Sequence, residues 1–316
     1  MEKTLKQYLE KDVLNEKITA IKKIGIGASS DSYRIETRNG KVFAKFFKYV
    51  NKNEADNTVN LLKALAKNRK LKATHLRVYK NKPLLKFKNF YGIILSFIDG
   101  KSIPSAKITK THMSAIAELY KTFLKTDFKN VKIPSDRTVE KQDLIKTYKA
   151  ERTDFLSVKI GFRKTFYKIL LKPSDAILGQ IEKKKAKEVE KRTVIHGDFQ
   201  NNNILFTSDK EPVLLDFDEV RYGHAYEDLS RYILALMHRL PLYRSKRKLF
   251  KAWVSLIEEK RLMKRSDWEK GIDLFYLKYL RKPFLTRKKS RSVTKMVAMI
   301  PLCFSYKRLM SVLQRK

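Results

Sequence analysis

The residues best placed to do chemistry are His196-Gly197-Asp198, then Asn203, then Asp216-Phe217-Asp218. The apolar stretch Thr193–Ile195 runs into the His-Gly-Asp. Asn203 lies five residues after Asp198, and a second apolar stretch, Val213-Leu214-Leu215, delivers Asp216. Short loops at strand ends are where distant groups converge. Phosphoryl transfer needs a set of this kind: a carboxylate to orient and deprotonate a hydroxyl, plus an amide oxygen and a carboxylate to hold magnesium against phosphates.

The pattern His-Gly-Asp-x-x-x-x-Asn, followed by an apolar strand and Asp, resembles that of the aminoglycoside phosphotransferase and choline kinase family, a branch of the protein-kinase-like fold. The resemblance implies ATP as donor, Asp198 as catalytic base, and Asn203 and Asp216 as Mg2+ ligands. Tyr226-Glu227-Asp228-Leu229 is similar to the family's Tyr-Asp-Leu segment, where Asp228 would brace the loop. Upstream, Gly25-Ile26-Gly27-Ala28-Ser29-Ser30 reads as a turn that lets backbone N–H groups approach phosphate. A dinucleotide site would want an acidic residue about 20 positions on. Position 45 is instead Lys, in Val42-Phe43-Ala44-Lys45, which resembles the kinase Val-Ala-Ile-Lys strand. The resemblance then gives Gly25, Gly27, Ser29 and Ser30 to the phosphates and has Lys45 grip them. Glu54 becomes the partner that orients Lys45, with Asp56 as second candidate. Ile94–Gly100 resembles the family's hinge and sets adenine against the backbone of Ser96-Phe97-Ile98. Ile24 and Ile204 either sandwich the base or belong to the core. Two departures stand out: Ser30 replaces the third glycine of the kinase loop, and Gln200-Asn201 stand where relatives often carry His-Pro.

Other polar residues read more plainly. His196, at a strand end, is expected to be a hydrogen-bonded structural histidine rather than a general base. The five histidines show no metal-ligand spacing. Asp218 reads as a solvated carboxylate, with a second magnesium as the alternative.

The elements that must carry these residues divide the chain in two. Ile21–Ile24, Ser32–Ile35, Val42–Phe47, Leu84–Lys88 and Gly92–Ile98 read as strands, with Asn39-Gly40 as a two-residue hairpin turn. Ala55, Val59, Leu62 and Ala66 recur at helical spacing over 54–67. Helices dominate beyond Gly100: Ile108–Leu124, residues 141–172, Ile181–Lys191, and a stripe of Leu229, Ile233, Leu236 and Leu240. The expected fold class is α+β and bilobal, protein-kinase-like. A β-rich nucleotide-binding lobe would span 1–98, and a helical catalytic and acceptor-binding lobe 99–316.

Composition limits the rest. The chain has 316 residues, 71 Lys+Arg against 33 Asp+Glu, and a formal charge of +38. With 43% hydrophobic residues it has material for a core, which excludes a disordered polybasic chain. A single cysteine, Cys303, excludes an internal disulfide framework. The N-terminus lacks the apolar stretch of a signal peptide, and no apolar run is long enough to span a bilayer. A cytoplasmic location is expected. The helix starting near Tyr226 leaves no room for a protein-kinase activation segment, and Ala-Pro-Glu is absent, so the acceptor is expected to be a non-protein hydroxyl. From Leu274 to Lys316 there are 12 Lys+Arg and no acidic residue. That favours an anionic acceptor such as a sugar phosphate or acidic glycolipid, of the kind found in lipopolysaccharide cores. It also favours peripheral contact of 274–316 with an anionic inner-membrane face. The alternatives are an aminoglycoside- or choline-like acceptor, a solvated lysine-rich surface, or a basic pseudokinase that binds nucleic acid or membrane. No RNA-recognition, zinc-finger or basic-zipper pattern supports nucleic acid. Retention of Lys45, Asp198, Asn203 and Asp216 speaks against a pseudokinase.

Overall fold

The computed structural model describes residues 2–26, 30–134, 141–157, 174–184, 192–238, 243–285, 306, 309–311 and 313. The first elements are α1 (Glu2–Tyr8), a π-turn (Leu9–Leu14), β1 (Ile18–Ile26), β2 (Ser30–Thr37), β3 (Gly40–Phe47), α2 (Lys52–Lys67), β4 (Leu76–Arg77), β5 (Leu85–Phe87) and β6 (Phe90–Ser96). Next come α3 (Lys110–Leu124), α4 (Lys141–Ser157), α5 (174–183), β7 (Thr193–Ile195), β8 (Ile204–Phe206), β9 (Pro212–Leu214) and β10 (Arg221–Gly223). Then follow α6 (Ala225–His238), α7 (Tyr243–Glu259) and α8 (Arg265–Leu285). Two units emerge. One comprises 1–103, 114–133 and 202–219; the other comprises 104–113, 134–201 and 220–316.

The first unit is built on an antiparallel sheet in the order β1-β2-β3-β6-β4, with β5 also pairing β6. Strand side chains alternate between faces. Tyr33, Ile35, Val42, Ala44, Phe46 and Ile94 therefore share a core, closed by Leu5, Leu9 and Val13 from the N-terminal helical turns. The same alternation turns Lys45 and Phe47 the other way, and both are buried. The β2–β3 turn is set one residue earlier than the Asn39-Gly40 expectation. Gly40 pairs with Thr37, so Arg38 and Asn39 make the turn, and Gly40 supplies the positive φ of 126°. In α2, Ala55, Val59 and Leu62 are buried as their spacing predicts. Ala66 is exposed, and Leu61, Ala64 and Leu65 complete the inner face.

The β8–β9 hairpin belongs to this unit. Ala73 bridges Leu214, and Lys101 bridges Phe206. Gly100 permits the second contact, because a Cβ there would stand 2.9 Å from the Phe206 carbonyl oxygen.

The second unit is organised around α6. Leu229, Ile233 and Leu236 are buried as predicted, while Leu240 lies outside the described residues. Tyr232 sits between Phe199 and Trp253, with ring centroids 5.5 and 4.8 Å away, and Trp253 Nε1 donates to Leu229 O at 3.2 Å. Helices α4 and α6 pack on α8. Lys184, after α5, donates to Asp273 Oδ1 at 2.9 Å, and Tyr306 donates to the same oxygen at 2.7 Å. The helices predicted over 141–172 and Ile181–Lys191 extend into residues outside the described set. Among the described residues no helix is long and apolar enough to cross a membrane.

Helices α6 and α8 meet at Gly271. A Cβ there would run into the Ser230 hydroxyl and stand 2.7 Å from Tyr226 O. Gly271→Ala is therefore expected to destabilise the protein by about 1–3 kcal/mol through overpacking. Urea denaturation checks this, and an unchanged midpoint would show that the two helices separate at no cost.

Candidate active site

Lys45 projects from β3 on the face away from the main core. Its Nζ lies 2.8 Å from Asp216 Oδ1 and 2.7 Å from Asp218 Oδ2. Burial works against the ammonium, but Asp218 and Asp216 outweigh it and hold the Lys45 pKa above the ordinary lysine value. Burial raises the Asp218 carboxyl; Lys45 counters it, and Asp216 and Glu219 add to it. One cation shared by two carboxylates stays charged, while the more buried carboxylate is left short of positive potential. The β8–β9 hairpin delivers these acids. Its ladder continues through Leu215 N donating to Asn203 O at 2.9 Å, which brings Asn203 beside the residue before Asp216. Asp216 then turns with φ 58°, a left-handed conformation that Asp tolerates better than most residues. Its side chain is 47% exposed.

The second unit holds Asp198. The loop after β7 is pinned from below by Asp228, whose Oδ2 accepts from His196 N at 2.7 Å and whose Oδ1 accepts from Gly197 N at 3.0 Å. His196 is fully buried and its Nδ1 accepts from Asp198 N at 3.3 Å, the structural role expected of it. Gln200 Nε2 donates to Asp198 Oδ2 at 2.9 Å. Arg231, from α6, donates through Nη2 to Asp198 Oδ1 and through Nη1 to Gly197 O at 3.3 Å. Both oxygens of the carboxylate thus accept hydrogen bonds, and its side chain is 21% exposed.

Residues 20–246 match the model of the APH phosphotransferase enzyme family. The chain belongs to this family. It is a phosphotransferase that acts on an alcohol group. Spectinomycin phosphotransferase, solved with ADP and spectinomycin, superposes with a TM-score of 0.68 at 12% identity, over 99% of this chain and 97% of that one. The microcompartment-associated aminopropanol kinase gives 0.68 at 13% identity, over 100% and 99%. The choline kinase of Streptococcus pneumoniae gives 0.54 at 14% identity, over 100% and 98%. These likenesses establish an α+β, protein-kinase-like fold. No curated protein sequence matches the chain.

Within the phosphotransferase, Lys45 and Asp216 meet directly, and Asn203 is tied to the same hairpin end. Glu54 is engaged elsewhere. It closes a capping box at the start of α2: its Oε2 accepts from Asn51 N at 2.9 Å, and its own N–H donates to Asn51 Oδ1 at 3.0 Å. In this structure the partners of Lys45 are therefore Asp216 and Asp218, in place of the expected Glu54. The glycine loop is shorter than expected. Gly25 still lies in β1 opposite Ser32, and Ser30 is buried opposite Phe47, so only 27–29 connect the strands; Gly27 and Ser29 fall outside the described residues. Lys23 and Lys48 hold Asp31 at 2.8 and 3.2 Å at the base of that hairpin, and Lys23 above all lowers its pKa. Ser96 is already engaged: its N–H donates to His75 O at 2.8 Å and its carbonyl accepts from Thr74 Oγ1 at 3.3 Å. Phe97 and Ile98 lie beyond the last ladder pair, Val42 with Ser96.

Asp218, expected to be a solvated carboxylate, is instead paired with Lys45, its side chain largely buried, while Gln200 and Arg231 had no expected role. The sequence signal for Asp218 is its place two residues after Asp216, close enough for both carboxylates to reach one cation. Gln200 sits at one of the noted departures from the family pattern. Nothing in the sequence marks Arg231 beyond its place three residues after Asp228.

Removing the shared cation should expose the repulsion it quenches. Lys45→Met is expected to cost about 3 kcal/mol of stability, since two carboxylates are left facing each other. Asp218 has a raised pKa, so the folded state takes up its proton before the unfolded chain does. The deficit should therefore shrink as pH falls and Asp218 protonates. The double variant Lys45→Met/Asp218→Asn should recover part of it. Denaturation midpoints across pH check this; a pH-independent deficit would argue against the pairing.

Proposed function

We propose that the protein transfers the γ-phosphoryl group of ATP, with Mg2+, to the hydroxyl of a non-protein acceptor, a sugar or glycolipid carrying negative charge. The observation that carries this reading is the Lys45–Asp216 ion pair, 2.8 Å long between residues 171 apart in sequence. The first unit binds the nucleotide: Lys45 aligns the phosphates, Gly25, Gly27, Ser29 and Ser30 cover them, and Phe97 and Ile98 carry the adenine edge. The donors at the open end of the β8–β9 hairpin suit magnesium, which takes one or two carboxylates and completes its shell with phosphates and water. Asn203 Oδ1 and the half-exposed Asp216 carboxylate would hold it. Bound there, the ion screens the phosphate charge. The second unit supplies Asp198, which orients the acceptor hydroxyl and takes its proton. The acceptor oxygen forms a bond to Pγ, the bond from Pγ to the bridging oxygen breaks, and ADP leaves.

The charge of +38, with no acidic residue after Asp273, supports an acceptor such as a phosphorylated core sugar of lipopolysaccharide. The same charge supports peripheral contact of the basic residues of 274–316 with an anionic inner-membrane face, in a protein read as cytoplasmic. A second reading, a cationic acceptor, draws on the choline and spectinomycin named for the structural neighbours.

ADP release across anionic sugars, neutral sugars, aminoglycosides and choline tests the class. Asp198→Asn is expected to keep Mg-ATP affinity and lose at least a hundredfold in turnover, whereas Asp216→Asn should weaken Mg-ATP binding itself. Full turnover by Asp198→Asn would remove it as base.

A further inference from the structure

Beside Asp198 the second unit gathers more positive charge than its fold requires. Arg231 uses two of its guanidinium N–H groups, on Asp198 Oδ1 and Gly197 O, while its side chain remains 39% exposed. Arg221 donates to Glu227 Oε2 at 2.7 Å in a buried pair. Lys278, from α8, reaches that same oxygen at only 3.4 Å, and its side chain is 38% exposed. Among the described residues Glu227 is thus shared by Arg221 and Lys278, two cations on one carboxylate. Burial pushes the Lys278 pKa down; Glu227 pulls the other way, and Arg221 and Arg231 push it down further. The nearby carboxylates are engaged. Asp228 accepts the His196 and Gly197 N–H groups, and the second oxygen of Glu227 accepts His224 N at 3.1 Å. Gly271 lies two turns before Lys278 on α8, so the close approach of α8 to α6 sets the ammonium near this group.

We propose that Arg231 and Lys278 form a subsite for an anionic group, phosphate or carboxylate, carried by the acceptor beside its reacting hydroxyl. This rests on Asp198 acting as the base. Arg231 stands one turn after Glu227 on α6, so its part-exposed guanidinium and the Lys278 ammonium flank the same stretch of that helix, a pairing of charges suited to such a group. A cationic acceptor would meet the repulsion of the same two charges. The anion also draws Arg231 toward itself, loosening the Arg231 hold on Asp198 Oδ1 as the hydroxyl arrives. Acceptor recognition and unmasking of the base become one event.

The test uses the whole 316-residue chain. Binding of inorganic phosphate and of acetate is measured by calorimetry, and ADP release is measured with glucose 6-phosphate, glucuronate, glucose and kanamycin as acceptor probes. Mg-ATP affinity is measured separately. Arg231→Gln is expected to weaken phosphate or acetate binding, and to raise KM for any anionic probe that turns over, by about tenfold or more. Mg-ATP affinity and the melting temperature should hold. Arg231→Lys should restore part of the loss, and Lys278→Met should show a smaller one. The phosphate and carboxylate probes identify which anion is preferred. The subsite is overturned if neither anion binds saturably. It is also overturned if Arg231→Gln lowers kcat with KM for anionic probes unchanged, which would leave Arg231 as a positioning residue of Asp198. Turnover of kanamycin or glucose alone, unaffected by Arg231→Gln, overturns it while leaving the phosphotransferase reading intact. Loss of the reading itself would appear as failure to bind Mg-ATP.

Discussion

One buried ammonium shared by two carboxylates is the constraint on which the first unit depends. A lysine on the far face of a sheet is costly to bury, and two acids at one hairpin end repel each other. Together the three groups offset part of that cost, enough to keep the ammonium charged. The arrangement also joins β3 to the β8–β9 hairpin, elements far apart in sequence. The hairpin is held on its other side by the bridges at Ala73 and Lys101, so the carboxylates are fixed by backbone as well as by charge.

The second unit solves a similar problem with backbone donors. The turn after β7 leaves two N–H groups without ladder partners, and Asp228 takes both. That buried carboxylate is satisfied locally, which allows the neighbouring Asp198 to face side-chain donors instead. Arg231 and Gln200 are those donors, and each holds a different oxygen. Glu227, one residue before Asp228, ties Arg221 and the start of α6 to the same region.

The parts of this architecture that follow from local pattern were legible in the sequence. Period-two alternation gave the strands around Lys45, and the His-Gly-Asp segment with its following Asn and Asp gave the family and the candidate residues. Asp228 as a brace and His196 as a structural residue followed from their places beside that segment. What was not legible depends on tertiary pairing. Glu54 stands at the right place in the chain to meet Lys45, yet three residues after Asn51 it also completes a capping box, and the local pair of hydrogen bonds is the one formed. The extension of β1 through Gly25 depends on its ladder with β2, which composition does not reveal. Arg231 and Lys278 come from different helices, and the packing of α8 on α6, which sets Lys278 against Glu227, has no local signal in the sequence.

The chain contains two tryptophans, Trp253 and Trp268, and both are fully buried in the second unit. Their indoles have different surroundings: Trp253 donates to a helix carbonyl, while Trp268 lies edge-on to Phe250. Intrinsic ultraviolet emission above the tyrosine band therefore reports on the helical half alone. Fluorescence and far-ultraviolet circular dichroism, followed side by side, would separate loosening of the sheet from melting of the helices without any attached label.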